Sequence, residues 1–259
     1  MAVIIKSKQE REQIRATGAI IAAILQELRS AVHVGMTTCE INRLAEKALL
    51  RYGAKSSSLG YRGYPTSLCA SVNEEVVHGI PGERVLKDGD IVTIDFAASY
   101  HGWHADSAIT VPVGIIAPDV QRLLKVTEEA LYLGIAAARG GNRLRDIACA
   151  VQQHIEGAGF SVVRLYSGHG VGRGMHEDPQ VLNYVDASYP NYVLRPGMVI
   201  AIEPMAIMGS AETKVLADGW TVVSADNAYA AHFEHTIAIT GGEPEILTLA
   251  PLRVESAVE

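Results

Sequence analysis

The sequence predicts an α+β fold of two related halves, each a pair of helices followed by strands. Two observations lead there. Helix-like and strand-like patterning alternate in long blocks: helical to about residue 53, strands and turns over 57–110, helical again to about 156, then strands and loops to about 250. The later blocks also repeat landmarks of the earlier ones. Gly35, Glu40, Ile41, Leu49 and Gly53 precede Gly141, Asp146, Ile147, Ile155 and Gly159 at one constant offset. At nearly the same offset, LKDGDIVTID (86–95) is matched by LRPGMVIAIE (194–203), each with a leucine, a base, a turn glycine, an apolar strand and a terminal carboxylate. His78-Gly-Ile-Pro81 likewise has a counterpart in His176-Glu-Asp-Pro179. Two such units packed side by side would put a site at their junction, where pockets commonly lie.

The elements follow in order. Ser7 with Glu10 forms a capping-box pattern, and Ile14, Ile21, Ile24, Leu25 and Leu28 recur at helical spacing, which predicts a helix over about 7–31. Thr37 with Glu40 starts a second helix, carrying Ile41, Leu44, Ala48 and Leu49 and stopped near Gly53. IVTIDFA (91–97) is the clearest strand of the first half. Helices over about 119–138 and 144–156 follow, the latter ending near Gly157 and Gly159, and MVIAIE (198–203) is the clearest strand of the second half. No low-complexity linker divides the chain. The expectation is one domain over 1–259, with halves of about 5–112 and 113–250.

Composition narrows the class. A formal charge of −7 argues against a nucleic-acid-binding surface, which needs a dense basic stripe. Lys6, Lys8, Arg11 and Arg15 cluster near the start and read as a solvated helix face. Cys39, Cys69 and Cys149 are scattered, with no Cys-x-x-Cys pair, as expected in a reducing compartment. There is neither a signal-peptide pattern nor an apolar run of about 20 residues to span a bilayer, so the protein is expected to be soluble and cytoplasmic.

A carboxylate at the end of an apolar strand needs an explanation. Asp95 follows Ile91, Val92 and Ile94, and Glu203 follows Val199, Ile200 and Ile202. Burying an unpaired ionised carboxylate costs several kcal/mol, so each should be paired, protonated or bound to metal. Their equivalent places in a repeat favour a shared ligand. Asp106 lies beyond a turn in SYHGWHAD (99–106), where a hairpin would set it beside Asp95, and Glu234 follows Glu203 across a longer loop in HFEHTIAI. His169 sits among glycines in SGHGVGRGMHEDP (167–179), which let a ligand approach closely. Four carboxylates and one imidazole suit divalent ions such as Mn²⁺, Fe²⁺ or Co²⁺. Two metals about 3.5–4 Å apart can clamp a bridging water, and the reaction class this implies is hydrolysis.

The motifs Tyr61-Arg-Gly-Tyr64-Pro, Val77-His78-Gly-Ile-Pro81, Ile94-Asp95, His104-Ala-Asp106, Gly168-His169-Gly-Val-Gly-Arg-Gly, His176-Glu-Asp-Pro179, Ile202-Glu203-Pro204-Met205 and Glu234-His235-Thr236 resemble those of type I methionine aminopeptidases. The resemblance runs from about residue 5 to about 250. It implies the pita-bread fold: two pseudo-symmetric halves with a curved, mainly antiparallel sheet around a dinuclear metal site. The short stretch between Glu203 and Glu234 leaves no room for the helical insertion of type II enzymes, and the start is too short for the zinc-finger extension of longer type I members.

Carried onto this chain, the resemblance implies that Asp95 binds one metal, that Asp106 and Glu234 bridge both, and that His169 and Glu203 complete the second. The ions would be two divalent metals: Co, Mn, Fe or Zn. Glu203 would also shuttle the proton of the attacking water. His176 would hydrogen-bond the scissile carbonyl and its oxyanion, and His78 the substrate backbone. Tyr61, Tyr64, Cys69, Met175 and Trp220 match positions lining the methionine pocket, where aromatic edges suit a thioether. Ser58 and Met175 depart from the family pattern, which more often has cysteine and phenylalanine there. The implied substrates are N-termini of nascent polypeptides with a small second residue, met at the ribosome, and the expected state is a monomer with no nucleic-acid or membrane partner. Competing readings of the same fold are a proline-specific peptidase, a creatinase-like hydrolase working without metal, and a non-catalytic binding module. The complete ligand set argues against the latter two.

Overall fold

The computed structural model describes residues 3–249, so the outermost ends of the expected single domain, and residue 250 of its second half, lie outside the described residues. Helix α1 spans Lys8–Ala31. The Ser7 hydroxyl accepts the Glu10 N–H and the Glu10 carboxylate accepts the Ser7 N–H at 2.8 Å, which satisfies two orphan donors at once. Helix α2 spans Thr38–Tyr52 with the same device, Glu40 accepting the Thr37 N–H at 2.7 Å. It stops at Gly53, whose φ of 64° is the left-handed conformation that glycine adopts without strain. Helix α3 is Pro118–Ala137, with proline at its first turn, and α4 is Leu144–Gly157. All four lie within a residue or two of their expected bounds.

The repeat is visible in the backbone. The N–H of Gly35 donates to Leu86 C=O at 2.8 Å, and that of Gly141 donates to Leu194 C=O at 2.9 Å. The matched turn glycines Gly89 and Gly197 have φ of 92° and 94°. Thr37 bridges Val85 as Arg143 bridges Val193. The two helix pairs therefore enter the sheet by the same local route.

The main sheet has eight strands and is antiparallel throughout. Seven run in the order Glu177–Val181, Gly168–Gly170, Val199–Ile202, Glu234–Ala238, Ser107–Pro112, Ile91–Asp95, Cys69–Val72, and Glu245–Ile246 pairs beside Glu234–Ala238. Along Val199–Ile202, Val199 and Ala201 pack in the core that holds α1 and α2, while Ile200 and Ile202 pack in the core that holds α3 and α4. Both faces of that strand are covered, which is why the sequence there reads as an unbroken apolar run. The two halves meet where Glu234 lies opposite Ala108.

Two local expectations change. Asp95 and Asp106 are not opposed across one hairpin. Ala98–Tyr100 and Trp103–Ala105 do form a hairpin, but it belongs to a separate three-stranded sheet with Lys55–Ser56. The Asp95 strand instead pairs with Ser107–Pro112, with Asp95 opposite Ala108. The detour is held by α1, whose Thr17 hydroxyl donates to Trp103 C=O. Lys6 also leaves the solvated face expected for the basic cluster: it precedes α1 and is only 3% exposed. An ammonium at that depth needs a partner, and Glu177 supplies it. No described helix is long and apolar enough to cross a membrane.

Candidate metal centre

The site forms where strand ends from both halves converge. Asp95 ends one strand, Glu203 directly follows another, Asp106 directly precedes a third, and Glu234 begins the fourth. His169 lies in the middle of Gly168–Gly170. Glycines at 168 and 170 are required there: a Cβ would lie 2.3 Å from Ala201 C=O at the first and 2.3 Å from Asp178 C=O at the second. The imidazole can reach the site only because its neighbours carry no side chain.

Asp106, His169 and Glu234 each offer a ligand atom within 4.8 Å of the others, and all three are buried. Glu203 joins them through an Oε1 that lies 3.6 Å from His169 Nε2. Asp95 borders Asp106 and is raised to about 6 by burial, with hydrogen bonds from Cys69 and Asp106 opposing the rise. Burial also lifts Asp106, Glu203 and Glu234 well above the usual carboxylate range, and mutual repulsion adds to it. His169 is pushed down to about 4 by burial.

This arrangement fits a cation. His169 Nδ1 lies 2.9 Å from Gly170 C=O, which can only accept, so the proton sits on Nδ1 and the Nε2 lone pair faces carboxylate oxygens of Asp106 and Glu203. Asp106 Oδ1 and Glu234 Oε1 are buried and meet no hydrogen-bond donor. Acceptors aimed at one another without donors are what a divalent ion with oxygen and imidazole ligands would satisfy.

The centre lines a cavity of about 510 Å³ that is also lined by every other site residue expected from the sequence. His176 Nδ1 is 3.0 Å from the Tyr61 hydroxyl, and its ring lies 4.2 Å from that of His169. Burial, then His169 and Arg62, push His176 down to about 3. His78 adopts a positive φ of 60° and makes edge contacts with Tyr166 and Trp220. Tyr64 meets Trp220 edge-on at 5.1 Å, and Cys69 and Met175 are buried beside the same cavity, with Ser58 at its wall.

Sequence reasoning missed several residues. His232 is buried, its Nε2 is 3.9 Å from Glu203 Oε2, and burial holds it at about 3. Its position two residues before Glu234 was the available signal. Tyr166 and Gln180 also line the cavity with nothing in their local pattern to mark them, and Arg62 and Met205 line it from within quoted motifs that gave them no separate role.

With this geometry in view, comparison with known proteins is decisive about class. The model of metallopeptidase family M24 matches residues 12–241, and the chain belongs to that family. Within it, the chain falls among the methionine aminopeptidases. It is 50% identical to methionine aminopeptidase 1 of Bacillus subtilis over 248 residues, covering 95% of this chain and 99% of the relative. The crystal structure of methionine aminopeptidase from Thermotoga maritima superposes with a TM-score of 0.93 at 42% identity, covering 96% of this chain and all of that one. Prolidase from Pyrococcus furiosus shares the fold alone, with a TM-score of 0.78 at 23% identity, and the chain spans 65% of it. The fold is the pita-bread fold of these proteins, and the family is one of metal-dependent exopeptidases.

Proposed function

We propose that this chain hydrolyses the N-terminal methionine from peptides and nascent proteins whose second residue is small. The observation that carries the reading is the cluster of Asp106, His169 and Glu234 in a cavity that Tyr64, Cys69 and Trp220 also line. The candidate metal ligands and the aromatic and sulfur side chains share one cavity.

Asp95, Asp106, His169, Glu203 and Glu234 would hold two divalent ions, which when bound polarise the scissile carbonyl and lower the pKa of water. The chain's own residues do the rest. Glu203 accepts the proton of the attacking water and passes it to the leaving amine. With Tyr61 donating to Nδ1 of His176, the imidazole proton sits on Nε2, free to donate to the carbonyl oxygen as it gains charge. His176 is neutral at working pH, so it acts as a hydrogen-bond donor and not as an acid. His78 contacts the substrate backbone. Tyr61, Tyr64, Cys69, Met175 and Trp220 surround the methionine side chain, offering aromatic edges to its sulfur. Catalysis would take place in one domain of two pseudo-symmetric halves, as a cytoplasmic monomer working at nascent N-termini near the ribosome.

The test is methionine release from Met-Ala-Ser by chelator-stripped protein, with and without Mn²⁺, Co²⁺ or Fe²⁺, beside Met-Leu-Ser and Ala-Pro-Ala. Metal-restored cleavage of Met-Ala-Ser alone is expected. Cleavage of the proline peptide only would move the chain to the proline-specific relatives, and no cleavage with any metal in folded protein would end the catalytic reading.

A further inference from the structure

We propose that Lys6 is a positioning residue for His176, acting through Glu177; the proposal rests on the reading that His176 donates to the scissile carbonyl. Lys6 Nζ lies 2.7 Å from Glu177 Oε2, and the two side chains are 2% and 11% exposed. The other Glu177 oxygen accepts the Gly174 N–H at 3.0 Å. Glu177 lies opposite Gly170 in the register of the two strands, so its carboxylate closes the loop between them at the base. His176 is the last residue of that loop.

The loop needs such a clamp. Glycines at 172 and 174 give the loop freedom, and a few backbone hydrogen bonds hold its turn, among them Gly172 N–H to Gly174 C=O and His104 N–H to Gly172 C=O. Lys6 is itself fixed. Its N–H donates to Gly197 C=O at 2.8 Å, and its C=O accepts from Arg11 Nη1 at 2.8 Å. The ammonium packs directly under the loop backbone: a Cβ at Gly172 would lie 2.7 Å from Lys6 Cε and 2.5 Å from Glu177 Oε1. A buried ion pair is a poor device for stability alone, because desolvation offsets its attraction. Here it fixes one end of a glycine-rich loop against the opposite half of the molecule. The imidazole it orients must stay aligned on a reacting carbonyl, where small displacements cost much rate.

The experiment is a double-mutant cycle on the Mn²⁺-loaded enzyme with Met-Ala-Ser, comparing wild type, Lys6→Met, Lys6→Arg, His176→Ala and the Lys6→Met/His176→Ala pair. Metal affinity is read by calorimetry alongside. Lys6→Met is expected to lower kcat about ten- to a hundredfold, with KM within about twofold and metal affinity unchanged. Lys6→Arg should recover most of the loss, and Lys6→Met should cost almost nothing further once His176 is alanine. Equal losses in both backgrounds, or full kcat in folded Lys6→Met, would overturn the positioning role. Full activity in His176→Ala would instead overturn the reading of His176, and this inference with it. Should Lys6→Met fail to fold, Glu177→Gln, which keeps an acceptor for Gly174 but removes the charge, runs the same cycle against the same outcomes.

Discussion

His169 Nε2 faces Glu203 Oε1 across 3.6 Å, while its Nδ1 is committed to Gly170 C=O. Two acceptors at that separation need a cation or a proton between them. His169→Ala removes a proposed ligand, and Glu203→Gln removes both a charge and the proposed proton acceptor. Each should lower kcat/KM by at least about 10²-fold, the lower end of what a general base contributes. Circular dichroism should be unchanged, and near-native turnover in either folded variant would remove the pair from the mechanism.

Metal uptake should be coupled to proton release. Metal ligation requires ionised carboxylates, and burial raises all four, Asp95 to about 6 and the other three well above the usual carboxylate range. A raised carboxylate holds its proton at pH values where the free group has lost it, so metal binding expels that proton and affinity climbs with pH through 6 and beyond. Calorimetric titration with Mn²⁺ in buffers of different ionisation enthalpy should report protons released at pH 7. A pH-independent affinity with no released proton would contradict the assigned ligands.

Tyr61→Phe deletes the hydroxyl that orients His176 and little else. One hydrogen bond contributes about 1 kcal/mol, so kcat should drop roughly fivefold while KM for Met-Ala-Ser stays close to wild type. A change confined to KM would mean that Tyr61 serves only the substrate pocket.

Trp220→Ala opens the apolar wall that Tyr64 meets edge-on. Contacts of sulfur with aromatic rings contribute about 0.3–1.5 kcal/mol. Steady-state kinetics should therefore show KM for methionyl peptides rising severalfold, with reduced discrimination against leucyl peptides. Unchanged selectivity would place the methionine side chain elsewhere.

Away from the site, Thr37→Ala removes the cap of α2, in which the Thr37 hydroxyl accepts the Glu40 N–H at 3.2 Å. Urea unfolding should show a loss of about 1 kcal/mol with activity retained in the folded protein.

The helices were legible because their signals are local. Ser7 with Glu10 and Thr37 with Glu40 are caps that a short stretch of chain can form by itself, and Gly53 ends a helix through its own φ. The strand carboxylates Asp95 and Glu203 were legible as a contradiction, charge where the pattern is apolar, and their repetition pointed to one shared site. The His232 contact was not legible. Its place two residues before Glu234 was the one local hint, and that spacing does not report that the histidine is cut off from water and aimed at Glu203.

The sequence by itself determined the helix bounds, the duplicated plan and which carboxylates and imidazole are proposed to hold a metal, because each depends on spacing along the chain or on residue chemistry. Tertiary structure alone decided that Asp95 pairs beside Ala108 and not across a hairpin from Asp106, and that Lys6 leaves the surface to meet Glu177, 171 positions away. Those outcomes depend on which surfaces exclude water together, and burial changes both the partner a charge requires and the proton it holds.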